Sequence, residues 1–112
     1  MAYRSVDAAG VAARPGPHPA ASVYGKDLGP ALGVRAFGVY QVELPPGAET
    51  VAHDHVDDGA EDVYAVIRGS GVVVVDGAEV PLAPGTFVAA TPESTRHVRA
   101  GPEGLVFIAI CR

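Results

Sequence analysis

The sequence predicts an all-β domain preceded by an N-terminal arm, and three observations support this prediction. Short runs rich in Val, Phe and Tyr recur from Val34 onward. Turn residues separate these runs at intervals of roughly ten residues, which is typical of β-sandwiches and barrels. Fourteen glycines and ten prolines among 112 residues supply the turns. A chain of this length is expected to form a single domain.

About eight strands are expected, and the turns between them have identifiable causes. Pro45-Pro46-Gly47 cannot continue a hydrogen-bonded ladder, Gly69-Ser70-Gly71 permits positive φ, and Asp76-Gly77 suits a type I′ hairpin. Connections this short favour antiparallel neighbours. The expected strands are Val34–Leu44, Glu49–His53, Asp62–Arg68, Val72–Val75, Glu79–Leu82, Thr86–Ala89, Arg96–Ala100 and Leu105–Cys111.

Residues 1–33 are expected to form an arm that packs on the β domain of residues 34–112. The arm is rich in Ala, Gly and Pro, and the prolines of Arg14–Pro19 remove backbone donors and prevent a continuous helix. Within the arm, the segment from Asp27 to Leu32 can form a helical turn that ends at Gly33.

Charge and cysteine content exclude several classes of partner. The net charge of -5, with Lys26 as the single lysine, repels nucleic-acid phosphates and anionic lipid surfaces, so neither nucleic acid nor membrane is expected. The sequence contains no apolar run long enough for a transmembrane helix. Cys111 is the only cysteine, which excludes an intrachain disulfide, and we expect an inert thiol and a cytoplasmic location.

Several expected strands are apolar on both faces, which predicts a cover on the outside of the sheet. Val72–Val75 and Leu105–Ile110 show no alternation between apolar and polar residues. A second subunit or the N-terminal arm can bury the outer face. Since symmetric pairs are common among oligomers, a homodimer is the preferred expectation.

The candidate chemistry begins with two closely spaced histidines. On a strand, His53 and His55 project to the same face while Asp54 points away. Five acids fall between positions 54 and 62, and this negative charge favours a nearby cation. A solvated acidic loop with two surface histidines is the alternative interpretation, which the pair alone does not exclude.

Spacing on either side of the histidine pair resembles the first motif of the cupin superfamily. That motif has Gly, five residues, His-x-His, three or four residues, Glu, six residues and Gly. In this chain, five residues separate Gly47 from His53, and six residues separate Asp62 from Gly69. However, six residues lie between His55 and Asp62, and aspartate replaces glutamate. Glu61 is the alternative acid, although a one-residue shift on a strand reverses the face.

A second cupin motif, Pro-x-Gly-x-x-His, is similar to the segment from Pro92 to His97. Ser94 replaces the motif's glycine, and Gly101 stands where the motif ends in asparagine. The two imperfect motifs occur in the family's order within a β-rich sequence. The resemblance therefore implies an antiparallel jelly-roll β-barrel.

The resemblance also implies a metal centre inside the barrel. Its expected ligands are His53, His55, Asp62 and His97. Imidazole and carboxylate donors suit one divalent transition metal ion (Fe, Mn, Ni, Cu or Zn) and leave positions open for a substrate oxygen. Tyr64, on the same face as Asp62, or Glu61 is a candidate proton carrier.

These features lead to an expected function and two alternatives. The expectation is a small metalloenzyme of the dioxygenase or isomerase type that acts on an unidentified small molecule in the barrel. The first alternative is a noncatalytic module that binds a small molecule or a metal. The second is a cupin barrel that holds no metal, because the lengthened loop and the aspartate both depart from the motif.

Overall fold

The computed structural model of the protein describes residues 2–16 and 20–112, so part of the proline-rich Arg14–Pro19 stretch lies outside the described residues. Within these ranges the chain forms six strands, one short α-helix and one 3₁₀ turn. Neither described helix is long and apolar enough to cross a membrane. The elements are the 3₁₀ turn (Ala8–Gly10), β1 (Gly25–Asp27), α1 (Gly29–Leu32), β2 (Gly38–Leu44), β3 (Asp62–Val75), β4 (Ala78–Leu82), β5 (Phe87–Ala90) and β6 (Arg96–Cys111).

The strands form one antiparallel sheet in the order β1-β2-β6-β3-β4, with β5 paired to β3. This arrangement confirms the expected all-β jelly-roll fold, although the sheet does not close into a complete barrel. Because β3 and β6 pair along most of their length, they form the centre of the molecule. The site residues described below lie along these two strands and on the loop that precedes β3.

Four of the expected strands are joined in pairs. Asp62–Arg68 and Val72–Val75 are both parts of β3, and Arg96–Ala100 and Leu105–Cys111 are both parts of β6. Register shifts between Val66 and Arg68, and between Gly69 and Gly71, keep β3 paired with β6 through a bend. The glycines therefore mark bulges in a continuous strand, not a turn between two strands.

The bend requires glycine because the two backbones come very close. Gly69 has a φ of 82°, and a Cβ there would collide with the carbonyl oxygen of Gly104. A Cβ at Gly71 would collide with the carbonyl oxygen of Arg99. Glycine allows both the positive φ and the close approach of the strands.

Two further differences concern an expected strand and the expected N-terminal arm. The expected strand Glu49–His53 forms only isolated bridges, from Glu49 to Arg99 and from His53 to Arg96. Conversely, β1 lies in the segment that we expected to form the arm, and it pairs with β2. The expected helical turn is confirmed as α1, which ends at Gly33 with a φ of 70°.

The core lies on the inner face of the sheet. Side chains alternate along β3, so that Asp62, Tyr64 and Val66 are buried while the residues between them are partly exposed. The buried core cluster consists of Val42, Leu44, Tyr64, Val66, Val73, Leu82, Val98, Ala100, Leu105 and Phe107. The carboxylate of Asp62 is thus placed at the end of this apolar interior.

Candidate metal centre

The candidate site is built where the loop after β2 returns to the central strands. The backbone of His53 forms an isolated bridge with Arg96 on β6, and the His55 N–H donates to the carbonyl oxygen of Pro92 at 2.8 Å. Asp62 is the first residue of β3. These backbone contacts bring the side chains of His53, His55 and Asp62 to one place.

The three side chains present their ligand atoms to one another. The His55 Nε2 lies 3.3 Å from the Asp62 Oδ2, and the His53 Nε2 lies 3.8 Å from the same oxygen. The two imidazole rings are nearly perpendicular, with centroids 5.0 Å apart. One donor atom from each residue falls within 4.8 Å of the other two, which is close enough for all three to bind one metal ion.

The opposite nitrogen of each imidazole is occupied by another acceptor. His53 Nδ1 lies 2.8 Å from the carbonyl oxygen of Val51, so it must carry the proton of that hydrogen bond. His55 Nδ1 lies 3.1 Å from the carboxylate of Asp58 and donates to it. Neutral imidazoles held in this way present the lone pair of Nε2, which is the arrangement usual for metal-ligating histidines.

Asp62 is ionised and held by several donors. The Tyr64 hydroxyl donates to its Oδ2 at 3.1 Å, and the Arg96 Nε donates to the same oxygen at 3.2 Å. Burial raises the pKa of Asp62, but hydrogen bonds from His53 and Cys111 and the charge of Arg96 outweigh it and hold this pKa well below its usual value. The carboxylate is therefore available as an anionic ligand at neutral pH.

The Asp62 charge also affects its neighbours. The hydrogen bond to Asp62 raises the pKa of His53 above its usual 6.5, against the opposing effect of burial. Burial, together with the Asp62 charge, raises the pKa of the Tyr64 hydroxyl. Tyr64 therefore remains a neutral hydrogen-bond donor beside the carboxylate.

A cavity of about 210 Å³ opens beside these side chains. The two histidines, Asp62 and Tyr64 contribute polar atoms to its wall, while Val42, Val98, Phe107 and Ala109 contribute apolar surface. Residues of the N-terminal segment, including Arg14 and Ser22, form another part of the wall. The site is thus a partly enclosed space whose wall combines these polar groups with apolar side chains.

Cys111 is a cavity residue that the sequence analysis did not connect with the site. Its side chain lines the cavity and hydrogen-bonds to the Asp62 carboxylate. Burial and the interaction with Asp62 raise the pKa of the thiol to about 12. A protonated thiol is a poor nucleophile. The antiparallel register pairs Cys111 with Asp62 and so places the thiol at the site, but that register is visible only in the folded sheet.

Glu61 and His97 lie away from the three converging side chains. Glu61 is exposed, and its backbone pairs with that of Arg112 at the C-terminal end of the chain. His97 was expected to be the fourth ligand, but its Nε2 lies 3.7 Å from the Glu49 carboxylate and its side chain is 26% exposed. His97 is therefore not part of the cluster of His53, His55 and Asp62. At this point of β6 the side chain that faces the interior is that of Arg96.

The alternation along β6 explains this difference. Arg96, Val98 and Ala100 are buried, whereas His97 and Arg99 lie on the opposite face. If His97 pointed inward, Arg99 would also point inward and Val98 would face outward. The apolar residues at positions 98 and 100 were the signal in the sequence that could have identified the inward face.

Comparisons with known proteins relate this fold to one family. The family model of the cupin domain matches residues 40–111. A cupin protein from Bacteroides fragilis shares the fold, with a TM-score of 0.78 and 22% identity over 99% of this chain and 84% of its own.

Two further solved structures are more similar in sequence but cover less of the chain. A putative sugar phosphate isomerase from Acidithiobacillus ferrooxidans is 28% identical, with a TM-score of 0.66, over 78% of this chain and 56% of that one. A predicted oxalate decarboxylase from Thermotoga maritima is 27% identical, with a TM-score of 0.58, over 69% of this chain and 64% of that one. No curated protein matches the chain.

Proposed function

The chain belongs to the cupin domain family, and we propose that it is a metalloenzyme in which His53, His55 and Asp62 hold one divalent transition metal ion. The observation that carries this proposal is the convergence of two imidazole nitrogens and one carboxylate, with each imidazole held at its opposite nitrogen by a hydrogen bond and the carboxylate held by the Arg96 Nε. Two imidazole nitrogens and one carboxylate form the donor set of the 2-His-1-carboxylate centres. This set is compatible with the metal ions expected from the sequence.

The cavity supports a small molecule as the substrate. Its volume of about 210 Å³ is smaller than the roughly 300 Å³ at which pockets for drug-sized ligands begin. Apolar side chains such as Val98 and Phe107 would contact the carbon skeleton, while oxygen atoms of the substrate would face the histidines and Asp62. Three protein ligands leave room for two substrate oxygens and one further small ligand on a six-coordinate ion.

The residues of the chain have separate tasks in such a reaction. A bound ion would polarise a carbonyl or hydroxyl oxygen of the substrate. Tyr64, at the cavity wall, holds the Asp62 carboxylate through its hydroxyl proton. The apolar wall excludes water from the reacting atoms, which strengthens the electrostatic interactions inside the site.

Two reaction types fit this arrangement. An isomerase-type reaction is supported by the 28% identity to the putative sugar phosphate isomerase. A dioxygenase-type reaction is supported by the donor set, since iron centres of this kind keep open positions for substrate and O₂. Both need the same ion in the same place, so metal binding is the first property to establish.

Metal content tests the proposal directly. Purified protein, reconstituted with each candidate metal and dialysed, is compared with the double variant His53→Ala, His55→Ala by elemental analysis. We expect one ion per chain in the unchanged protein and almost none in the double variant, because two of the three ligands are lost. His97→Ala is the matched control and is expected to retain the ion, since His97 lies on the other face of β6.

Equal metal in the unchanged protein and the double variant would contradict the proposal. With a loaded protein, O₂ consumption in the presence of diols, diketones and thiols tests the dioxygenase type. Interconversion of aldose and ketose phosphates tests the isomerase type. A loaded protein that is inactive in both assays would indicate a noncatalytic metal-binding module.

A further inference from the structure

A buried arginine occupies the interior of the candidate metal centre on the β6 side. Arg96 is fully buried, and its backbone forms the bridge that positions His53. Its Nη1 donates to the carbonyl oxygen of Ser94 at 2.6 Å. Its Nε and Nη2 lie 3.2 Å and 3.1 Å from the Asp62 Oδ2. The guanidinium group is therefore fixed against the carboxylate that would bind the metal.

The position of Arg96 is the one from which a fourth ligand would be expected. It faces inward on β6, it is bridged to one proposed ligand, His53, and its side chain contacts another, Asp62. The Nε2 of a histidine and the Nε of an arginine are each three bonds from Cβ and therefore lie at similar distances from it. A histidine at position 96 would thus place its Nε2 near the present Arg96 Nε, within a ligand-to-ligand distance of Asp62.

We propose that Arg96 takes the place of a fourth metal-ligating side chain and serves as a positioning residue for Asp62, a proposal that rests on the metal site proposed above. A guanidinium group has five N–H donors and no lone pair to offer, and it remains protonated in proteins. Arg96 therefore cannot bind a metal ion, and among the residues that the structure describes it leaves His53, His55 and Asp62 as the protein ligands.

The charge of Arg96 has a second effect on the site. The Arg96 Nε donates a hydrogen bond to the Asp62 Oδ2 and the Arg96 Nη2 lies 3.1 Å from the same oxygen, so the guanidinium group holds the carboxylate in one orientation. A buried carboxylate without such a partner would be costly and would turn towards other donors. Arg96 thus orients the Asp62 carboxylate before any ion binds. Because Arg96 itself cannot bind the ion, the site has one protein ligand fewer.

The number of nitrogen ligands provides the test. Pulsed EPR of the Cu(II)-loaded protein counts the imidazole nitrogens bound to the ion. We expect two in the unchanged protein, two in His97→Ala, and three in Arg96→His. The third nitrogen is expected because the new imidazole would occupy the place of the Arg96 guanidinium. A count other than two in the Cu(II)-loaded unchanged protein, or a count of two in folded Arg96→His, would overturn the proposal.

The positioning role needs a separate comparison. Arg96→Met removes every contact with Asp62, whereas Arg96→Lys retains a cation that can reach it. Loss of a partner that orients a ligand typically lowers metal affinity about 10- to 100-fold. We expect a loss of this order in Arg96→Met and a smaller loss in Arg96→Lys, measured as Cu(II) dissociation constants with two bound nitrogens in both variants. Equal affinities in Arg96→Met and the unchanged protein would contradict the role.

These outcomes separate the inference from the function on which it rests. If the unchanged protein binds none of the candidate ions, Cu(II) included, the proposed function fails. The inference then depends on Arg96→His: uptake in that variant alone would support it, and uptake in neither would contradict it. Circular dichroism establishes whether each variant is folded. If Arg96→His does not fold, the nitrogen counts of the unchanged protein and His97→Ala decide the number of ligands.

Discussion

At the scale of single residues, the protonation of two imidazoles determines what the site can bind. The Nδ1 protons of His53 and His55 are directed to the Val51 carbonyl oxygen and the Asp58 carboxylate. Their Nε2 atoms therefore carry either a lone pair for a metal ion or a second proton for Asp62. A metal ion and a proton thus compete for the same two atoms.

This competition predicts opposite effects of pH on the metal-free and the metal-binding protein. Asp62 raises the pKa of His53 above 6.5, so the stability gained from their contact is complete below that value and is lost as pH rises through the raised pKa. We expect the free energy of unfolding of the metal-free protein to show this loss in urea titrations above pH 6.5. Metal affinity should rise over the same interval, because His53 must lose its proton to bind.

Asp62→Asn is the control for this prediction. The amide carries no charge, so the part of the pH dependence that comes from the pair should disappear. A metal-free protein whose stability changes with pH in the same way before and after the substitution would show that the contact between His53 and Asp62 has no such role.

Among the expected ligands, the three that lie close together in the structure are those whose positions follow from local spacing. His53 and His55 share a face because they are two residues apart, and Asp62 begins a strand whose alternation is regular. His97 was different, because a shift of one residue in the turn before β6 reverses every side chain that follows. The spacing from Pro92 identified His97 as a candidate ligand, but it did not predict which face of β6 the side chain occupies.

At the scale of elements, the sequence predicted the strand segments better than their connections. Gly69-Ser70-Gly71 has the composition of a turn, yet β3 continues through it as a bulged strand. Local sequence does not distinguish these outcomes, because the difference depends on pairing with β6, which is distant along the chain. The same reasoning explains β1, whose three residues become a strand only through β2.

The bend in β3 gives a prediction about stability. Gly69→Ala combines a positive φ with a collision against the Gly104 carbonyl oxygen, whereas Gly77→Ala has a similar φ of 84° and open space around the added carbon. We expect Gly77→Ala to lower the free energy of unfolding by about 1–2 kcal/mol. Gly69→Ala should lower it further, since the two backbones must also separate.

Urea unfolding of both variants measures this difference. Equal losses of stability in the two variants would mean that the close approach of β3 and β6 is not needed for folding. A larger loss in Gly69→Ala would support the interpretation that the bend keeps β3 and β6 paired along most of their length.

At the scale of the whole molecule, the outer face of the sheet is apolar. Registers place Val63 beside Ala89 and Ile110, and Ala65 beside Phe87 and Ile108, on the face opposite to Asp62 and Tyr64. Phe87 is 73% exposed and Ile110 is 39% exposed. The described part of the N-terminal segment does not bury Phe87, so a second copy of the chain is the cover that we expect.

This expectation predicts a homodimer that a charge on the outer face would disrupt. Light scattering coupled to size-exclusion chromatography should give twice the mass of 11.4 kDa for the unchanged protein and the single mass for Phe87→Asp. Val23→Asp is the control, because Val23 is 58% exposed but lies outside this face. A monomeric unchanged protein, or a dimer that persists in Phe87→Asp, would contradict the predicted interface.

The central claim is that His53, His55 and Asp62 bind one ion at a common point. Anomalous X-ray diffraction from crystals grown with Zn(II) or Mn(II) tests it most directly. The account predicts a single strong peak about 2.0–2.2 Å from both Nε2 atoms and from a carboxylate oxygen of Asp62, with His97 outside the coordination sphere. A peak bound elsewhere, or none between these residues in metal-saturated crystals, would contradict it.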